Sequence, residues 1–213
     1  KLMVKYGFEK IKVFTKLYSS LTWQYKNLIA VKKKKKQFLF VGQFIRRKNV
    51  KKLIEAFNSL DVDKKVWKLL LVGKGNIDLK NYGTKNIKIL DPLPPAKLSK
   101  LYNQSLFFIL PSIRDHWPLV VHEASLSGCF LLLSQNIGNI AELATKKNSI
   151  IFDPNSKKAI QQTFIDSMSL SQKKLVIGNK ESKKLASFFN NKNSYAEFIK
   201  IVNKFKKFND LNI

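Results

Sequence analysis

The chain has 213 residues, 45% of them hydrophobic and 12% aromatic, which is enough to bury one full core and fits one large domain better than two. No apolar run approaches the roughly 20 residues of a membrane-spanning helix, so an integral membrane protein is excluded. Lys and Arg number 40 against 14 Asp and Glu, a formal net charge of +26 at pH 7. Such an excess attracts polyanions: an anionic lipid surface, nucleic acid or a nucleotide substrate. A strongly AT-rich genome produces the same abundance of Lys, Asn, Ile and Phe with no binding role. Nucleic acid is the weakest of these readings, because the chain has no recognised helix-turn-helix, zinc pattern or aromatic single-strand platform.

Residues 1–36 mix apolar and basic side chains without completing a β-α unit, and the run Lys32 to Lys36 reads as a solvated linker before the first strand. The chain starts at Lys1 rather than Met and shows no long apolar signal core, so it is expected to be a fragment of a longer protein. Residues 37–41 are the first strand, and Val50, Leu53, Ile54, Phe57 and Leu60 mark one face of the helix after it. Further strands are predicted at 67–72, 87–90, 106–110, 129–133 and 150–152, with helices near 95–104, 119–127, 139–145 and 156–168. The strands are continuously apolar rather than alternating, which implies burial on both faces. The fold class is therefore α/β, a Rossmann-like parallel sheet with helices on both faces. Residues 37–170 form this domain and 171–213 add C-terminal helices. There Ser194 and Glu197 read as a capping box, and Tyr195, Phe198, Ile199, Val202 and Phe205 as one apolar stripe. With Lys200, Lys204, Lys206 and Lys207 beside it, that stripe also admits a membrane-surface helix.

Ligands of such sheets collect at the carboxyl ends of the strands, where Gly42, Gly73, Pro111 and Ser134 fall. Pro118 suits the first position of the helix that follows Pro111, since its missing N–H costs nothing there. The N–H groups of Leu119 and Val120 would then face an anion such as phosphate. Asp115 lies in the loop before this helix and Glu123 about one turn into it; ionised carboxylates accept hydrogen bonds only and suit sugar hydroxyls. The single cysteine, Cys129, sits in the run Cys129-Phe130-Leu131-Leu132-Leu133; it cannot form an internal disulfide, fits a reducing cytoplasm and reads as a small buried hydrophobe. His116 and His122 have no Cys or carboxylate partners at ligand spacing, so no metal site is expected.

The order Asp115-x-Trp117-Pro118-Leu119-Val120-Val121-x-Glu123-Ala124, then Ser127-Gly128, Ser134, Gly138 and Glu142, resembles the donor-binding half of family 4 glycosyltransferases of the GT-B fold, whose signature is E-x7-E. Gly42-Gln43-Phe44-Ile45-Arg46-Arg47-Lys48-Asn49 is similar to that family's glycine-then-basic loop, and Val72-Gly73-Lys74-Gly75 to its second glycine turn. The resemblance covers roughly residues 37 to 160. It implies that Lys48 meets the donor diphosphate, that Glu123 accepts from the ribose hydroxyls and that Asp115 contacts the transferred sugar, with Lys48 and Asp115 the catalytic pair. Gly42, Arg47, Leu119 and Val120 would complete the diphosphate cradle. His116 and Trp117 would line the sugar pocket, although Trp117 reads equally well as packing and Glu142 equally well as a helix-surface acid.

The chain departs from the pattern in three places. Gln43 stands where an arginine is usual, so Arg46 or Arg47 would have to supply the charge; Pro118 replaces a glycine; and Asp115 is one methylene shorter than the usual Glu. The function implied is retaining transfer from a UDP- or GDP-linked sugar to a glycan or lipid-linked acceptor, as in polysaccharide biosynthesis. The donor would be the only small molecule bound, with no separate cofactor. Residues 1–36 would link to an N-terminal GT-B half and 171–213 would pack back toward it. The enzyme would be cytoplasmic, with contact to the inner membrane face. Gln43, Asn49 and Pro118 leave open a degenerate module that binds without transfer; a basic nucleic-acid-binding domain is the remaining alternative.

Overall fold

Six apolar runs become the strands β1 (Lys35–Val41), β2 (Lys68–Val72), β3 (Ile87–Leu90), β4 (Ser105–Leu110), β5 (Phe130–Ser134) and β6 (Ser149–Phe152) of a computed structural model that describes residues 29–60 and 66–209. The expectations for residues 1–28, and for the side chains of Lys204, Phe205, Lys206 and Lys207, lie outside the described residues. The helices are α1 (Val50–Asn58), α2 (Pro95–Gln104), α3 (Leu119–Leu126), α4 (Ile140–Leu143), α5 (Lys157–Met168), α6 (Gln172–Ser187) and α7 (Asn191–Asn209). All strand pairs are parallel, in the order β3-β2-β1-β4-β5-β6. The order reverses between β1 and β4, which places a crevice at their carboxyl ends.

The central strands carry no solvent face. Every residue of β4 and β5 is buried, as are the last five of β1, so the continuous apolar pattern reports helices on both sides. On one side α1 and α5 pack together. Phe38 of β1 stacks on Phe107 of β4 at 5.1 Å between centroids, and Phe57 and Phe164 close over it edge-on at 6.2 and 4.7 Å. On the other side α3 packs against α2 and α6.

Three local expectations are corrected. Lys34, read as solvated linker, is buried: its ammonium donates to the carbonyls of Ser127 at 3.0 Å and Ser105 at 3.2 Å, binding the ends of α3 and α2 to the start of β1. Burial lowers its pKa, with the nearby Cys129 acting in the opposite direction. Pro118 is the N-cap of α3 rather than its first helical residue, because its ψ of 115° keeps it extended while its carbonyl accepts from Val121 N at 3.1 Å. Ser194 does not open a helix. Asn190 takes that role, its Oδ1 accepting from Asn193 N at 2.9 Å, and Glu197 pairs with Lys200 instead of reaching back. Tyr195 and Phe198 of the apolar stripe are exposed.

Candidate nucleotide-sugar site

The loops after β1, β2, β4 and β5 meet at the crevice, and two glycines allow them to touch. Gly73 follows β2 so closely that a Cβ would lie 1.9 Å from the Gly42 carbonyl oxygen, and at Gly138, after β5, a Cβ would lie 1.7 Å from the carbonyl oxygen of His116. Only glycine permits either approach. Phe44 N then donates to Lys74 O at 3.0 Å, and Ile77 N to Phe44 O at 3.0 Å, which ties the first glycine loop to the second.

The basic loop turns through a short 3-10 segment, Arg46–Lys48, and ends on Asn49 in the left-handed region at φ 59°. Asn49 is held there by its side chain, which donates to Pro154 O at 2.7 Å. This turn buries Lys48 and directs its ammonium to Asp115 Oδ2. Arg47 Nη1 approaches the same oxygen at 3.5 Å, so of the two arginines Arg47 is the one that joins the site; Arg46 and Gln43 are exposed. Asp115 is itself fixed by backbone: its N–H donates to Asn136 O at 3.2 Å and its carbonyl accepts from Gly138 N at 2.9 Å, a parallel bridge between the loops after β4 and β5.

At the start of α3 the N–H groups of Leu119 and Val120 have no carbonyl ahead of them within the helix. The loop behind them is locked by Asn139, fully buried, whose Nδ2 donates to Pro118 O at 3.1 Å. Glu142 follows in α4 with its Oε2 buried and, among the described residues, without a hydrogen-bond partner. Glu123 receives the Tyr102 hydroxyl of α2 on Oε2 at 3.0 Å. Trp117 packs edge-on against Phe189 with centroids 6.3 Å apart, which favours the packing reading of this residue, whereas His116 is exposed. His122 points away: its Nε2 hydrogen-bonds Ala186 O at 2.9 Å, joining α3 to α6, and burial lowers its pKa.

Beyond the second glycine turn, at the ends of β2 and β3, opens a cavity of about 740 Å³ lined among others by Phe44, Lys74, Asn76, Asp78, Thr84 and Asp91. Its size suits a nucleotide-sized ligand. Tyr102, Asn139 and, in this lining, Asn76, Asp78, Thr84 and Asp91 were not singled out in the sequence. Only the cavity had a signal there, the Gly73-Lys74-Gly75 turn, since Tyr102 and Asn139 reach the site through tertiary contacts alone. Among the described residues no three His, Cys, Asp or Glu side chains gather as a metal site would require.

A doubly wound parallel sheet with helices on both faces is a Rossmann-like α/β fold of the GT-B kind. Residues 22–185 match the family model of the glycosyl transferases group 1, and the chain belongs to that family. Its fold is similar to that of sucrose-phosphate synthase from Thermosynechococcus elongatus (TM-score 0.69, 16% identity, 92% of this chain and 51% of that one). It is also similar to α,α-trehalose 6-phosphate synthase from Burkholderia multivorans (TM-score 0.70, 12% identity, 85% and 45%). A third similar structure is a trehalose-6-phosphate protein from E. coli bound with UDP-2-fluoro glucose (TM-score 0.68, 13% identity, 85% and 48%). The chain thus spans about half the length of these structures. No curated protein sequence matches it.

Proposed function

We propose that this chain is the donor-binding half of a retaining, family 4 glycosyltransferase that moves a sugar from a UDP- or GDP-linked donor to a glycan or lipid-linked acceptor. The observation that carries the reading is the convergence of Arg47, Lys48 and Asp115 beside the N-terminus of α3, at the switch point of the sheet. Lys48 and the N–H groups of Leu119 and Val120 would stabilise charge developing on the departing diphosphate, the form of electrostatic help that usually dominates such chemistry. Glu123 would grip the ribose, Asp115 the transferred sugar, and the 740 Å³ cavity the base. An N-terminal half would bring the acceptor and any acceptor-side base. Related structures support the substrate class, one carrying a UDP-sugar analogue and another concerned with transfer with retention.

A ligand present at 100 times its Kd stabilises the folded form by about 2.7 kcal/mol, which raises Tm by roughly 5 to 10 °C for a chain of this size. UDP or GDP, alone or as UDP-glucose or GDP-mannose, should produce that shift. A folded sample unmoved by all four at millimolar concentration defeats the proposal. Gln43 and Pro118 favour a second reading, binding without transfer; product formation by the complete protein separates the two. The basic excess points to an anionic membrane face as a partner, where polysaccharide precursors are assembled. Sedimentation with phosphatidylglycerol vesicles should then be strong at low salt and fade as salt rises, and equal binding to neutral vesicles would refute it.

A further inference from the structure

The turn that buries Lys48 is closed from a distant part of the sequence. Asn49 sits in the left-handed region at φ 59°, its N–H donates to Arg46 O at 3.1 Å, and its Nδ2 donates to Pro154 O at 2.7 Å, 105 residues away in the loop after β6. In the first turn of α1 the Lys52 ammonium donates to Asn155 O of the same loop at 2.8 Å. We propose that the loop after β6 braces the donor lysine: through Asn49, a positioning residue, it fixes the backbone turn that aims the Lys48 ammonium at the diphosphate. The inference rests on the donor-site reading and adds to it a segment outside the basic loop and the two-acid motif.

The physical case begins with the brace, which is anchored at both ends. Before it, Gln135 N of the loop after β5 donates to Phe152 O at 2.9 Å; after it, Ser156 Oγ caps α5 by accepting from Ala159 N at 3.1 Å. Between them Asp153 Oδ1 accepts from Asn155 N at 2.9 Å and from Asn155 Nδ2 at 3.2 Å, which stiffens the stretch that presents the Pro154 carbonyl. On the other side of Asn49 stands α1, packed against α5 in the core. A rotation at Asn49 would therefore leave the helix in place and swing the preceding 3-10 turn, Arg46–Lys48, out of the crevice. Lysine carries its charge on a flexible stem, so a turn free to rotate would have to be ordered when the ligand arrives. A turn already fixed removes that cost from the binding step.

Asn is also one of the few residues that tolerate a left-handed turn, and that alone is the rival reading. Asn49→Gly separates the two, because glycine takes the same φ without strain and lacks the amide. Calorimetry on the 213-residue chain with UDP, UMP, GDP and GMP gives, for whichever base binds, the ratio of diphosphate to monophosphate affinity. Asn49→Gly should lower this ratio about 3- to 10-fold, the worth of ordering one long side chain, and leave the monophosphate within about twofold of the parent. In a Lys48→Gln background the same replacement should change the ratio by less than about twofold, since a brace that acts through Lys48 then has nothing to aim. An unchanged ratio in Asn49→Gly, equal losses for both ligands, or a full further loss in the Lys48→Gln background would overturn the proposal. The underlying reading is tested separately by Lys48→Gln alone, which should lower the ratio at least as far as Asn49→Gly does. If it leaves the ratio intact, or if none of the four nucleotides binds the parent, the diphosphate role of Lys48 fails and the brace fails with it.

Discussion

Replacing Asp115 by Asn should make the free chain less stable and its grip on a nucleoside diphosphate tighter. Asp115 is the counter-ion of Lys48 and Arg47. The Lys48 and Asp115 side chains are only 8% and 11% exposed, whereas Arg47 is 50% exposed, so the Lys48 contact carries most of the energy and the Arg47 contact adds less than about 1 kcal/mol. Asn keeps the shape and a carbonyl acceptor but not the charge. Its cost is that of the lost charge assistance, about 1.5 to 3 kcal/mol, rather than the roughly 3 to 5 kcal/mol of stripping a buried ion of its partner, because Lys48 keeps an acceptor. A loss of about 2 kcal/mol lowers Tm by roughly 4 to 8 °C. On the proposed reading the diphosphate takes over Lys48, and an Asn site has no carboxylate to displace or to repel it. UDP or GDP should then bind about 3- to 30-fold more tightly, the upper figure being those 2 kcal/mol returned in full. The nucleotide sugar should gain less, because the contact to the sugar is weakened. Calorimetry and thermal scans with and without nucleotide measure both halves. An Asn variant that binds the free nucleotide more weakly than the parent, or melts at the same temperature, refutes the counter-ion account.

Gly138→Ala puts a methyl 1.7 Å from the carbonyl oxygen of His116, so the loops after β4 and β5 must part; Tm should fall and the nucleotide-induced shift should shrink, and an unchanged shift would show that this approach does not shape the site. His122 has a pKa lowered from 6.5, mainly by burial, so its contribution to stability is complete above pH 6.5 and is lost as pH falls through the lower folded value. Thermal scans from pH 8 to pH 4.5 should therefore show a loss that is smaller in His122→Gln, which keeps a donor for Ala186; identical pH profiles would remove His122 from the account. Cys129 is wholly buried with its thiol pKa raised by that burial, so a maleimide should label it only after denaturant is added; rapid labelling of the native chain would contradict the packing around β5.

What the sequence revealed and what it hid divide along one physical line. Strands such as 106–110 and 129–133 were legible because burial on both faces leaves a continuous apolar run, and Asp115 and Glu123 because a strand end, a loop and a helix start are contiguous in the chain. Contacts between distant segments leave no such trace. Lys34 has the composition of a solvated run, and only the carbonyls of Ser105 and Ser127, 71 and 93 residues away, make it a buried strut. Ser194 has the spacing of a capping box, but Asn190 captures the cap first and a local rule loses to its neighbour. The same line separates the two acids. A motif can state that Asp115 and Glu123 are present, but not that one rests against two cations while the other takes a neutral hydroxyl from Tyr102, 21 residues before it. That difference arises from α2 lying beside α3 and from the 3-10 turn that buries Lys48, two features of packing that no motif writes down.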